Sequence, residues 1–343
     1  MPSYQRFIIT FLSAGLLISL SLFALIIFLD PYGARVSAGK NTVPLMDLNQ
    51  RYMYPQLVRS NIYESAIFGT STVRLIDPEK LNAPLQSRFA NLAMNAATPW
   101  EQMQLANLFK KSTPNIKHIV WGIDPTWCHP QADQTAQKRT FRPFPPWLYD
   151  DNPWNDLLGQ FNFTALEVAV RLANHRLGRA KERIRSDGYE VFTPPEHTYD
   201  LKRAKAHLWG ATSPDEQAQI RDLWLKRSEN INTLSENNKP LVLPALGWMR
   251  EWLKSIPTST RITFIFAPVH ISAQPKPNSK AALDEKACKQ QFITLLKSHE
   301  SSHVIDWRTG SAITLNDENY WDPLHYRLPI ANQLTQEIIN INK

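Results

Sequence analysis

Three side chains in this sequence have the types and the order that covalent acyl transfer needs. Ser71, in "SAIFGTSTVRL" at 65–75, ends a short apolar run where a helix could open. "YWDPLHYR" at 320–327 places Asp322 and His325 three residues apart, just before the last helical pattern. A serine hydroxyl is a poor nucleophile until an imidazole takes its proton, and the imidazole needs a carboxylate to fix its tautomer and tilt. Asp-x-x-His on one loop can supply both groups. Gly69 permits a tight turn before Ser71. A serine at a helix start also offers its own N–H and the helix dipole to a developing oxyanion. Taken singly, each residue has a plainer use. Ser71 serves a strand-to-helix turn, Asp322 an Asx-turn with Pro323, and His325 a surface hydrogen bond. It is their combination, in the order Ser, Asp, His, that points to a triad.

The elements around them must hold these groups together. "SAIFG" (65–69), "FANLAM" (89–94), "IKHIVWGID" (116–124), "RITFIFAPVH" (261–270) and "HVIDW" (303–307) are short apolar strand patterns. Helical patterns at 99–112, at 279–299 and from about 328 fall between and after them, with Pro99 suited to a first turn. Such alternation predicts an α/β fold with a parallel sheet covered on both faces. Ligands then bind at the carboxyl ends of the strands, where "FGTST" lies. Between 128 and 240 the pattern breaks into a Pro-rich polar loop and several helical stretches, read as a mostly helical insertion or a separate helical domain.

Other residues near that rim are weaker candidates. His270 ends a strand and could face substrate. Arg74, one turn after Ser71, suits a structural ion pair better than a ligand. Trp100, Trp127 and Trp321, among eleven tryptophans, could stack on sugar rings or simply pack. Arg171, Arg176, Arg179, Lys181, Arg183 and Arg185 form a basic run that suits anionic lipid or polysaccharide, or a solvated helix face. No metal-ligand spacing, phosphate-cradling glycine loop or nucleic-acid motif is present, so neither cofactor nor nucleic acid is expected.

The N-terminus sets the context. Phe7 to Leu29 is an uncharged apolar run long enough to cross a bilayer, preceded by Arg6 and followed by Asp30. The cationic end is expected to stay in the cytoplasm as a tail over 1–6, with an anchor over 7–29, a linker over 30–59 and an extracytoplasmic domain over 60–343. That makes a single-pass protein of the inner (cytoplasmic) membrane. A cleaved signal peptide, with "VSA" at 36–38 as the cleavage site, is the rival reading; the run exceeds the usual h-region. The remaining composition is ordinary for a globular domain among 343 residues, with 43% apolar, 20% charged and net charge +7. Basic balance favours anionic partners without naming one. Cys128 and Cys288 are the two cysteines, and either a disulfide or two buried thiols fits.

The chain resembles SGNH/GDSL-type hydrolases, in particular their membrane-anchored, cell-surface acyltransferase-like branch. "GTS" fits the first block, with Ser71 in the nucleophile position, and "DPLH" fits the last, with Asp322 and His325. "DPYG" after the anchor, Arg74 after the serine and "NLAMNAAT" at 91–98 also match. The resemblance spans about 60–343 apart from the insertion. It implies a three-layer, flavodoxin-like sheet. It also implies O-acetylation or deacetylation of a cell-surface or exported polysaccharide, with a multi-pass membrane protein as acyl donor.

Two blocks depart from that pattern. Ala96 in "NAAT" stands near the family's oxyanion glycine, and can donate an N–H if its backbone angles allow. "GIDP" puts Asp124 where the family has an asparagine donor, and an ionised carboxylate cannot donate. Asn91 or Asn95 would then supply the donor, or Asp124 would bind substrate hydroxyls, or the site is weakened. The expected function is therefore a membrane-tethered serine O-acyltransferase or esterase. The rivals are an inactive SGNH-like scaffold or glycan-binding protein, and an anchored lipase or thioesterase lidded by the insertion.

Overall fold

The computed structural model describes residues 3–227 and 241–343. The chain opens with α1 (Ser3–Leu29) and α2 (Gln50–Arg59), then β1 (Ser65–Phe68), α3 (Pro78–Asn82), β2 (Phe89–Asn91), α4 (Pro99–Ser112) and β3 (His118–Gly122). A helical stretch follows, with α5 (Pro153–Gly159), α6 (Phe163–Arg176), α7 (Leu201–Trp209), α8 (Pro214–Arg227) and α9 (Pro244–Lys254). The chain closes with β4 (Arg261–Phe266), α10 (Lys280–Leu296), β5 (Ser302–Asp306) and α11 (Leu328–Asn342).

Among the described residues the strands form one sheet in the order β2-β1-β3-β4-β5. All four pairings are parallel, with Phe68 beside Trp121 and Gly122 beside Ile265. β1 and β3 are buried throughout, as strands covered on both faces must be. Alternation along the strands divides the core into two layers. Ile67, Val120, Ile265 and Ile305 face one side, in a cluster with Ile330, Leu334 and Ile338 of α11. Phe68, Trp121 and Phe264 face the other, where their rings meet Phe109 of α4, Trp252 of α9 and Phe292 of α10. The α/β class with a parallel sheet is as the sequence predicts, and Pro99 does take the first turn of α4. Thr98 and Glu101 cap that helix reciprocally.

Strand order reverses where β2 lies on one side of β1 and β3 on the other. Loops leaving the carboxyl ends of β1 and β3 therefore diverge and open a crevice between them. Ser71 follows β1 and Asp124 follows β3.

The chain divides into two compact units, Met1–Ile62 with Pro143–Ser186, and Tyr63–Arg142 with Asp187–Lys343. This differs from the expected linker over 30–59 and single insertion over 128–240. Residues 30–59 hold α2 and bury Tyr32, Met53, Tyr54 and Leu57. Tyr32 packs its ring on Tyr52 and Trp147, and Leu45 bridges Ile184. The DPYG stretch has a job in this packing. Gly33 has φ +60 and a Cβ there would overlap Gln56, so only glycine fits. Of the expected insertion, 143–186 builds the first unit, 187–227 returns to the sheet-bearing unit, and 228–240 lies outside the described residues. α1 is long and apolar enough to cross a membrane, as an anchor or a signal sequence would be. In the second unit Cys128 and Cys288 are joined in a disulfide, which ties the segment after β3 to α10.

Candidate active site

The nucleophile turn follows from local sterics. Gly69 has φ +145, and a Cβ on it would meet Val73 Cγ2 at 2.6 Å and the Gly122 backbone at 3.3 Å. A side chain is excluded there by angle and by space, so the chain can leave β1 sharply. Thr70 then caps a single 3₁₀ turn, Ser71–Val73, by accepting from the Thr72 N–H. Behind the turn, fully buried Asn91 donates to the carbonyls of Val73, Arg74 and Ile76 at 3.3, 3.1 and 2.9 Å. Its oxygen accepts from the Ala93 N–H.

His325 reaches Ser71 from the loop before α11. Tyr320 pairs with Tyr326 as an antiparallel bridge, and the Trp321 N–H donates to the His325 carbonyl, closing a tight loop. Within it Asp322 does two things. Its Oδ1 accepts from the Leu324 and His325 N–H groups, and its Oδ2 lies 2.7 Å from His325 Nδ1. The Asx-turn and the triad role are therefore one arrangement. His325 Nε2 sits 2.9 Å from Ser71 Oγ. Burial alone would raise the Asp322 carboxyl, but the hydrogen bond and charge of His325 and the two backbone N–H groups hold it below its usual value. An ionised Asp322 fixes the imidazole proton on Nδ1. Nε2 is then the acceptor that faces the Ser71 hydroxyl. Phe192 packs edge-on against His325 at 5.3 Å, which steadies the ring.

Beyond β2 the backbone continues the sheet ladder. The Leu92 and Met94 N–H groups donate to the Ile67 and Gly69 carbonyls, carrying the β1–β2 ladder past the strand ends. Ala96 follows with φ +52, the left-handed conformation that glycine favours, and its side is exposed. Among the described residues neither the Ser71 N–H nor the Ala96 N–H has a protein acceptor.

Asp124 is placed differently from either sequence alternative for it. Its Oδ2 accepts from the Thr70 hydroxyl at 2.6 Å and its Oδ1 from the Thr72 hydroxyl at 2.8 Å. The Arg308 guanidinium is 3.8 Å away and donates to the Ile123 carbonyl. The carboxylate thus clamps both neighbours of Ser71, and its charge is offset by a buried arginine.

Several sequence candidates have structural work instead. Asn91 spends its amide on the turn, as described, so it does not face a substrate. Arg74 is buried, pairs with Glu190, donates to Asn95 Oδ1 at 2.8 Å and lies over Phe192 at 5.0 Å. It is the ion pair that the sequence favours, and it fixes the orientation of the Asn95 amide beside Ala96. His270 is not on the rim. It is fully buried, between the rings of Trp209 and Tyr320, with Nε2 3.0 Å from Asp317 Oδ1. The His270 backbone N–H donates to the Pro323 carbonyl, so this residue supports the Asp322–His325 loop from behind. Burial alone would raise Asp317, yet hydrogen bonds from His270, Arg221 and Trp209 and the Arg221 charge bring its pKa down to about 2. Trp127 is buried in the aromatic layer, Trp321 packs edge-on against Tyr199, and Trp100 lies under Arg139.

Sequence reasoning passed over Thr70, Thr72, Arg308, Glu190 and Phe192. The two threonines were legible as hydroxyls flanking the serine in "TST", and a carboxylate in "GIDP" implies donors near it. Nothing local marks the segment holding Glu190 and Phe192, which lies more than a hundred residues from Ser71. Among the described residues no cluster of His, Cys, Asp or Glu is arranged to hold a metal ion.

Compared with protein-family models, curated proteins and solved structures, the chain has no match.

Proposed function

We propose that the chain is a membrane-tethered serine O-acyltransferase or esterase of the SGNH type, working outside the cytoplasm on a cell-surface or exported polysaccharide. The observation that carries this reading is the hydrogen-bonded chain Ser71–His325–Asp322 at the carboxyl edge of the parallel sheet. His325 Nε2 takes the hydroxyl proton as Ser71 Oγ adds to the donor's acyl carbonyl. The oxyanion is received by the Ser71 and Ala96 N–H groups. His325 returns the proton to the leaving oxygen, and the acyl group stays on Ser71. An acceptor hydroxyl then gives its proton to His325 and attacks the acyl carbonyl. The bond to Ser71 Oγ breaks, His325 returns the proton to that oxygen, and the acceptor leaves acylated, or, with water as acceptor, the free acid leaves.

Other features support parts of this reading. The sheet order is that of flavodoxin-like doubly wound folds, as SGNH proteins have. A Cys128–Cys288 disulfide suits an oxidising compartment, on the far side of a membrane from the cationic N-terminus. The polysaccharide acceptor and a multi-pass acyl-donor partner come from the sequence resemblance. The scaffold reading rests on Asp124 as an uncompensated charge. Its bonds to Thr70 and Thr72 and the nearby Arg308 favour the enzyme.

The test is release of p-nitrophenol from p-nitrophenyl acetate by the full chain in detergent, beside Ser71→Ala and His325→Ala. Activity lost about 10³-fold or more in both variants supports the reading. Acetylated oligosaccharide appearing when glycan is added identifies transfer. Activity in Ser71→Ala equal to wild type overturns the assignment.

A further inference from the structure

The first unit carries an apolar projection that the soluble chemistry above does not use. In α5 and at the start of α6, Trp154, Leu158 and Phe163 are 75%, 76% and 80% exposed, and Phe161 between them is half exposed. The other face of α6 is ordinary core, with Ala165, Val168, Ala169 and Leu172 buried. So many large apolar side chains on one short helical segment mark a surface that meets something other than water.

Contacts with α1 say what it meets. The Phe161 ring packs edge-on against Phe23 of α1 at 5.0 Å. Phe23 lies six residues before Leu29, so along a helix it is about 9 Å inside the end of the apolar run. At the other end of α6, Arg176 donates to the Leu29 carbonyl at 3.2 Å. Arg35 donates in the same way to the Ile27 carbonyl. Exposed Arg179, Lys181 and Arg183 continue the cationic stretch after α6. α6 therefore runs beside the last turns of α1, with Phe161 before its start against Phe23 and Arg176 at its end against Leu29.

We propose that the α5–α6 segment is a second membrane-seated element. Its apolar tip, Trp154, Leu158, Phe161 and Phe163, enters the outer leaflet beside the anchor, where Phe161 meets Phe23, and the basic stretch from Arg176 to Arg183 lies at headgroup depth on anionic lipid. This rests on α1 being an uncleaved anchor. A segment gripping the bilayer beside a single helix would stop the first unit from swivelling about its anchor, which a lone span permits.

The experiment places nitroxide labels on single-cysteine variants of the full chain, in vesicles of phosphatidylethanolamine and phosphatidylglycerol. The native cysteines are joined and do not react. Leu158→Cys and Phe163→Cys sample the tip, Lys181→Cys the basic stretch, Phe141→Cys an exposed site in the other unit, and Leu16→Cys the anchor. Collision with oxygen reports hydrocarbon, and collision with a water-soluble nickel chelate reports water. The proposal expects the two tip labels to be protected from nickel several-fold relative to Phe141→Cys, with oxygen access rising as at Leu16→Cys. Nickel access at the tip equal to that at Phe141→Cys, with Leu16→Cys protected, overturns the membrane seating of the segment while leaving the anchor. Dipolar broadening between tip labels assigns the surface to a second copy and also overturns it. A Leu16→Cys label open to nickel removes the anchor and the proposal together.

Discussion

The Thr70 hydroxyl donates to the Asp124 carboxylate at 2.6 Å, joining the loop after β1 to the loop after β3 across the point where strand order reverses. Thr72 repeats the link at 2.8 Å. Ser71 stands between two residues held by one carboxylate, so its position depends on Asp124 although Asp124 touches no reacting atom.

This makes Asp124 separable from an anti-catalytic charge. Asp124→Asn keeps the size but replaces one acceptor oxygen with a donor amide. A clamp predicts a loss of about tenfold in kcat with KM little changed, since misplacing a nucleophile by a fraction of an ångström is costly. Thr70→Val with Thr72→Val should mimic it. A charge that opposes the oxyanion predicts the opposite, a faster Asp124→Asn. Steady-state kinetics on a p-nitrophenyl ester reads the difference.

Arg74 is expected to be a stability residue first. Removing it takes a buried guanidinium away from part-exposed Glu190 and from the Asn95 amide oxygen. Arg74→Ala should cost about 1.5–3 kcal/mol in denaturant unfolding, as losing a charged hydrogen-bond partner does. Arg74→Lys should recover part of that, because it restores charge without the planar fork.

The loop carrying the base has an acid-sensitive support. With its pKa near 2, Asp317 is held well below an ordinary carboxylate. A depressed carboxylate contributes stability that is present above its unfolded value near 4 and is lost as pH falls toward 2. Asp317→Asn should therefore be less stable than wild type at pH 7, and the gap should narrow between pH 4 and pH 2. Parallel denaturant titrations at those pH values check it. The substitution also replaces the charged acceptor of His270 with a neutral, weaker one, behind the Asp322–His325 loop, so kcat should fall with it.

Reducing the Cys128–Cys288 bond, or replacing both residues with serine, opens a loop with a sequence separation of 160 residues. Loop-closure entropy sets the expected loss at about 2–5 kcal/mol. Unfolding with and without dithiothreitol measures it.

Periodicity carried the α/β class, and local motifs carried the meeting of Ser71, His325 and Asp322, because short buried strands and a terminal Asp-x-x-His loop are local patterns. Gly69 was readable for the same reason: a turn that tight admits one residue type. What stayed hidden was non-local. Asn91 looked like a free donor because nothing near it in sequence shows that three carbonyls of the Ser71 turn would claim its amide. His270 looked like a rim residue because strand position gives depth along the sheet but not what packs on top. Residues 30–59 read as a linker since turn-forming residues dominate their start, while the partners that bury Tyr32 come from α2 and from Trp147, more than a hundred residues on.

The most direct test of the central claim is covalent capture of the nucleophile. The full chain is incubated with a fluorophosphonate, digested, and its peptides are mapped by mass spectrometry. The account predicts one phosphonylated site, Ser71, with labelling slowed at least a hundredfold in His325→Ala and absent in Ser71→Ala. Labelling at another residue, or at Ser71 with the same rate in His325→Ala, would contradict it.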